Sequence, residues 1–271
     1  MTMLIEVHHR TTYRYDGPAR YSIQSLRLQP PTFDAQRVVS WAITAPGMDA
    51  SFQFTDCFGN DVVLASISGA HDGIVIEARG VIETLDCTGV ARGLPDKAPL
   101  RVFLRHTPKT MPSAAIADLA RTAQKPTVLA TLHELMRAVS EAVVYEIGAT
   151  HQHTTAADAL TSGRGVCQDH AHVFITSARI LGIPARYVNG YFLAGTLAPA
   201  EAHHAWAEAW VEGLGWVGFD PANRCCPTER YVRLACGLDA ASAAPIRGTQ
   251  RGGSNEALDV EVEVQQQSSQ Q

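Results

Sequence analysis

The period of the hydrophobic pattern changes near residue 100. Up to about Asp86, short apolar–polar alternations recur at regular spacing: Leu4–Tyr15, Tyr21–Leu28, Val38–Ala45, Ser51–Cys57, Asp61–Ser68 and Gly73–Leu85. Asp16-Gly17-Pro18, Pro46-Gly47 and Gly59-Asn60-Asp61 punctuate them. Runs of period two between turn residues predict an N-terminal antiparallel β-sandwich over residues 1–100. From about 87 to 112, glycine, proline and charge dilute the pattern, which predicts a linker. Helical spacing then takes over at Ala114–Thr122 and Thr127–Val144. The second helix is started by Pro126 and carries Leu129, Leu132, Leu135 and Val139 on one stripe.

A third helix follows a glycine-rich turn. Gly163 and Gly165 permit a tight approach, and Gly182 with Pro184 ends the helix. Between them Cys167, Ala171, Phe174, Ala178 and Leu181 share one apolar face. Strands are expected at Ala185–Phe192, His204–Val211 and Trp216–Asp220, completing a second domain over residues 113–247. In the tail, residues 248–257 read as a loop. Leu258, Val260, Val262 and Val264 then alternate with Asp259, Glu261 and Glu263, which predicts a returning strand over about 257–264. The low-complexity run Gln265–Gln271 reads as frayed.

The candidate chemistry sits on the third helix and the last hairpin. Cys167 falls in the first helical turn, where unpaired N–H groups and the helix dipole favour a thiolate. His204, Trp206, Glu208 and Trp210 alternate with Ala205, Ala207 and Ala209, and Glu212-Gly213-Leu214-Gly215 supplies the turn. The midpoint of His204 and Asp220 is residue 212, so the two are expected nearly opposite each other on paired strands. An aspartate bonded to one imidazole nitrogen fixes the tautomer and leaves the other nitrogen for a thiol. His203 points to the other face and is expected at the rim or surface. Trp206, Trp210 and Trp216 read as core and wall residues. Glu208 reads as a partly exposed or salt-bridged carboxylate, and Arg186 and Tyr187 as structural or substrate-lining residues.

Composition narrows the alternatives. The chain has 271 residues, 46% of them hydrophobic, and a formal charge of −5. That is ample for two cores, and no basic cluster suggests nucleic acid. No stretch approaches the ~20 apolar residues of a membrane span, and the first residues show no secretory signal pattern. Six sparse cysteines without a CxxC pair predict a reducing, cytoplasmic setting. Among the 11 histidines, His170 and His172 diverge by about 200° on a helix, and His203 and His204 diverge on a strand. His151 and His153 lack a cysteine or carboxylate partner, so a zinc site is poorly supported. No cofactor or metal is expected. His172 reads as a residue stabilising the helix or pocket.

Four stretches carry a family resemblance: Gly165-Val-Cys-Gln-Asp-His-Ala-His172, Leu181-Gly-Ile-Pro-Ala-Arg-Tyr-Val-Asn-Gly-Tyr191, His204-Ala-Trp-Ala-Glu208 and Gly215-Trp-Val-Gly-Phe-Asp-Pro-Ala-Asn223. They resemble the transglutaminase-like superfamily of papain-type fold, in its bacterial branch with an all-β N-terminal domain. The chain departs from the family's aromatic at His170, and from Gly-Arg-Asp-Tyr at Gly237-Leu238-Asp239-Ala240. The resemblance implies an α+β fold, a β-sandwich followed by a core of helices packed on an antiparallel sheet. It implies Cys167 as nucleophile, His204 as base and later acid, and Asp220 as orienting residue; the family's base directly precedes Ala-Trp, which favours His204 over His203. Tyr145 is a candidate second oxyanion donor, and Tyr145, Trp206 and Gln168 are candidate substrate contacts. The expected substrate is a peptide or protein amide, with hydrolysis favoured. A protein-glutamine transglutaminase and a non-catalytic binding module remain the alternatives.

Overall fold

The computed structural model describes residues 2–95, 97–194 and 202–267. In chain order its elements are β1 (Thr2–Leu26), β2 (Gln36–Thr44), β3 (Phe52–Thr55), β4 (Asp61–Leu85), β5 (Val90–Ala91), α1 (Ala114–Thr122), α2 (Val128–Ala142), β6 (Val144–Tyr145), α3 (Ala156–Ser162), β7 (Arg164–Gly165), α4 (Cys167–Ile180), β8 (Ala185–Phe192), β9 (His203–Val211), β10 (Gly215–Phe219), β11 (Tyr231–Gly237) and β12 (Ile246–Gln266). The α+β class expected from the sequence holds, with a strand-rich antiparallel N-terminal region and helices gathered on a second sheet.

The N-terminal strands form one five-stranded sheet in the order β12-β1-β4-β2, with β3 also on β4. Two of these strands span 25 residues each, where the alternation suggested four short ones. Asp16-Gly17-Pro18 does not reverse the chain, because β4 and β12 run on along both sides of β1. Register shifts between Tyr15 and Tyr21 absorb the turn residues as bulges, with Gly17 at φ 88°. The tail corrects the sequence reading in the same way. Residues 248–257 are strand rather than loop, and β12 reaches Gln266, because the exposed edge of β1 supplies backbone partners whatever the side chains. Residues 268–271 of the supposedly frayed run lie outside the described residues.

The second sheet runs β11-β8-β9-β10-β5. Its Ala205, Ala207 and Ala209 lie in one core with Ala171, Phe174 and Ala178 of α4, and small side chains let the helix approach closely. Thr127, not Pro126, caps α2: its side chain accepts from Ala130 N–H at 3.2 Å. The expected linker is firmly bound. β5 pairs with β10, Phe103 is 2% exposed, and buried Arg179 donates to the carbonyls of Phe103 (3.0 Å), Ala185 (2.9 Å) and Leu238 (2.8 Å). A buried guanidinium must find acceptors, and here the connecting segment provides one of them.

The two sheets meet at β11. Ile5, Val7, Ile76 and Ile82 share a core with Tyr191, Val232 and Leu234. The open edge of β11 is closed by side-chain amides from the N-terminal sheet. Gln36 accepts from Arg233 N–H (2.7 Å) and donates to its carbonyl (2.9 Å). Asn60 does the same for Cys236, at 2.8 Å in each direction. Each amide satisfies one donor and one acceptor, as a neighbouring strand would. Among the described residues, no helix is long and apolar enough to cross a membrane.

Candidate active site

Cys167 is the first residue of α4, half-buried, with extended Val166 as the N-cap. Asp169 secures that turn: its Oδ2 accepts from Val166 N–H (2.9 Å) and from Thr150 Oγ1 (2.6 Å). The carboxylate lies so close to Gly165 that a Cβ there would sit 2.7 Å from Asp169 Cβ, which explains the glycine. His170 braces the same turn, with Nδ1 2.9 Å from Val166 O and Nε2 2.8 Å from Val143 O.

The β9–β10 hairpin brings the other two groups. Val211 pairs with Gly215 around a three-residue loop holding Gly213 at φ 81°, so the hairpin centres on residue 213 rather than the expected 212. Asp220 therefore follows Phe219, the partner of Ala207, and His204 is its diagonal neighbour. The diagonal still closes: His204 Nε2 lies 2.7 Å from Asp220 Oδ2. That leaves Nδ1 as the ring nitrogen available to Cys167, which lies within interacting reach of the same imidazole.

Burial makes this pairing strong. His204 is 6% exposed and Asp220 0%. Desolvation alone would lower the His204 pKa, but the bonds and charges of Asp220 and Cys167 outweigh it and push the value up to about 10. Burial likewise works to raise Asp220, yet donors from His204, Tyr231 and Asn223 hold it below the usual carboxylate range. Oδ1 of Asp220 accepts from the N–H groups of Ala222 (3.0 Å) and Asn223 (3.2 Å). Oδ2 accepts from Tyr231 Oη (2.8 Å) and Asn223 Nδ2 (2.8 Å) besides His204. The carboxylate is fully ringed by donors.

Sequence reasoning missed Tyr231 and Asn223. Asn223 stood in plain view three residues after Asp220, the spacing of a side-chain-capped turn. Tyr231 belongs to β11, a strand not anticipated, although Tyr231-Val232 and Leu234-Ala235-Cys236 have strand-forming character. The other expected residues fall into place around this centre. Tyr145 pairs in register with Gly165, is 38% exposed and has its ring 6.0 Å from that of His170, while half-buried Gln168 directly follows Cys167 on α4. Trp206 requires correction. At 2% exposure its ring is packed 5.5 Å from that of Tyr231 and 6.4 Å from that of His204, so it buttresses the side chains of the array rather than opening to solvent as a substrate contact would. His203 is exposed. Glu208 is the salt-bridged alternative in full: buried, 2.6 Å from Arg186 Nε and 2.9 Å from Arg233 Nε. Desolvation opposes its charge, but the two guanidinium groups hold its pKa down to about 2. Arg186 lies 3.9 Å over Trp216 and is structural. His172 is fully buried and accepts from Ala240 N–H at 3.1 Å, away from the reaction centre.

Comparison with known proteins bears on the family and the fold. Residues 114–221 match the transglutaminase-like superfamily, and residues 5–83 match the bacterial transglutaminase-like N-terminal region. An uncharacterised protein of Mycobacterium leprae is 30% identical over 275 residues, spanning 96% of this chain and 98% of its own. A protein-glutamine gamma-glutamyltransferase of Pseudomonas aeruginosa is 36% identical over 87 residues, which is 29% of this chain and 12% of its own. Among solved structures, a candidate cysteine protease from Cytophaga hutchinsonii covers 100% of this chain and 92% of its own, with a TM-score of 0.76 and 23% identity. That likeness concerns the fold.

Proposed function

This chain belongs to the transglutaminase-like superfamily, and from that premise we propose that it is a cysteine-dependent acyl-transfer enzyme acting on amide or peptide bonds. The observation that carries the proposal is the single array in which Cys167 opens a helix, faces His204, and His204 is bonded at 2.7 Å to a buried Asp220. Cys167 supplies the nucleophile, His204 holds its proton, and Asp220 orients the ring. The thiolate attacks the carbonyl carbon and the carbonyl π-electrons move to oxygen. The resulting oxyanion meets the backbone N–H of Cys167 at the helix terminus, with Tyr145 as a candidate second donor. As the C–N bond breaks, His204 gives its proton to the departing amine, leaving a thioester on Cys167. Water or an amine then attacks the thioester while His204 takes its proton, and the thiol is released. Neither a metal nor an organic cofactor enters these steps.

Water as acceptor makes the protein a peptidase or amidase, the reading we favour for a half-buried and solvent-accessible thiol. Similarity to a protein-glutamine gamma-glutamyltransferase supports amine transfer as the second reading. One experiment separates them. Dimethylcasein is incubated with the protein and a biotinylated alkylamine, and both peptide fragments and biotin incorporation are followed, with Cys167→Ala as control. Cysteine-dependent fragments support hydrolysis; cysteine-dependent biotin incorporation supports transglutamination. If neither occurs and no thioester adduct forms on Cys167 with activated acyl esters, the chain is a binding module on this scaffold.

A further inference from the structure

We infer that Tyr231 moderates the charge Asp220 presents to His204, and so sets how firmly the thiol–imidazole site holds its proton. The inference rests on the acyl-transfer reading of the site. Its basis is the direction of the hydrogen bonds. A carboxylate can only accept, so the 2.8 Å contact between Tyr231 Oη and Asp220 Oδ2 spends the tyrosine proton on Asp220. Cys225 Sγ, 3.3 Å from the same oxygen, must then be the donor of that pair. Asn223 Nδ2 adds a bond to Asp220 Oδ2 and lies 3.2 Å from Tyr231 Oη. A donor chain thus runs from Cys225 through Tyr231 to Asp220, on the same oxygen that serves His204.

Tyr231 is held in place from every side. It is 6% exposed, its ring lies 4.6 Å from Phe192 and 5.5 Å from Trp206, and β11 is fixed by the Gln36 and Asn60 amides. Burial and the Asp220 charge push its pKa well up, so the hydroxyl keeps the proton it donates. The orientation of Asp220 does not depend on Tyr231, because two backbone N–H groups hold Oδ1. What the hydroxyl adds is a competing claim on the negative charge of Oδ2. The other titratable groups at this array are Cys167 from α4, Cys225 in the 220–225 turn, and Arg230, which acts on Cys225; His203, next to His204 on β9, points to the opposite face, toward His9 and Tyr191.

The test is Tyr231→Phe, which keeps the ring and deletes the hydroxyl. Removing one donor concentrates the carboxylate charge on His204, so the NMR titration of the His204 ring moves to higher pH, by about half a unit or more. Cys167 alkylation by iodoacetamide near pH 6 quickens in step. Cys225→Ala, one bond further out, shifts the titration in the same direction by less. A purely structural Tyr231 would move neither profile, and superimposed or oppositely shifted titrations overturn the inference. His204→Ala run in parallel distinguishes the two failures. If it slows Cys167 alkylation while Tyr231→Phe changes nothing, only the inference falls; if it changes nothing, the acyl-transfer reading falls as well.

Discussion

Replacing Asp220 by asparagine should invert the hydrogen bonding of His204. Oδ1 accepts from two backbone N–H groups, so the amide oxygen of Asp220→Asn belongs there. The NH2 group then occupies the Oδ2 position, against His204 Nε2, Tyr231 Oη and Asn223 Nδ2. Flipping the amide is no remedy, because the NH2 would then face both backbone N–H groups. The least costly relief is for His204 to change tautomer, accepting at Nε2 and carrying its proton on Nδ1. In that state Nδ1 cannot take the thiol proton. The lost interaction is a hydrogen bond between charged groups in a buried site, worth about 1.5–3 kcal/mol. With a factor of ten for every ~1.4 kcal/mol, Cys167 alkylation at pH 7 should slow about 10- to 150-fold. Peptide mass spectrometry after timed iodoacetamide exposure gives the rate, and circular dichroism checks folding. A folded Asp220→Asn protein whose Cys167 reacts within about twofold of wild type would refute the tautomer argument.

Further consequences follow from buried charge and close packing. Glu208→Gln leaves Arg186 and Arg233 sharing a neutral amide at a site 2% exposed, and should cost about 3–5 kcal/mol in urea unfolding; a loss below about 1 kcal/mol would contradict the buried triad. Gly165→Ala drives a methyl into Asp169, 2.7 Å away, and should destabilise by about 1–3 kcal/mol while slowing Cys167 alkylation; unchanged stability would mean the turn can relax. The stability difference between wild type and His204→Ala should depend on pH. His204 titrates near 10 when folded against 6.5 unfolded, so its contribution is full below pH 6.5 and fades as pH rises toward 10. Asp220 is shifted downward from 3.8, so its contribution holds above that value and fades as pH falls through its lower folded one. Denaturation at a series of pH values checks both limbs, and a flat difference would argue against the pairing.

Local chemistry was legible in the sequence wherever a short stretch decides its own structure. Gly163 and Gly165 announced the turn before Cys167, and the alternation from His204 to Trp210 gave the correct face. Hairpin register was less legible, because placing the loop one residue later costs nothing visible in the pattern; only shared parity kept His204 and Asp220 together. Tertiary partners were hidden. Nothing near Glu208 in sequence indicates that Arg186 arrives from the adjacent β8 and Arg233 from β11, one strand further on the same side. The continuity of β1 and β4 through their glycines depends on neighbouring strands, so Asp16-Gly17-Pro18 looked like a reversal. Tyr231 was invisible for the same reason: its role depends on where β11 lies, and β11 is fixed by Gln36 and Asn60 from almost 200 residues away.

The central claim is that Cys167 and His204 act as one unit. Its most direct test is the rate of iodoacetamide alkylation at each cysteine from pH 5 to 9, in wild type and His204→Ala, with exposed Cys57 as internal reference. Cys167 should react faster than Cys57 at neutral pH in the wild type and lose that advantage in His204→Ala. If Cys167 follows Cys57 in both proteins, no thiol–imidazole pair exists and the catalytic account is wrong.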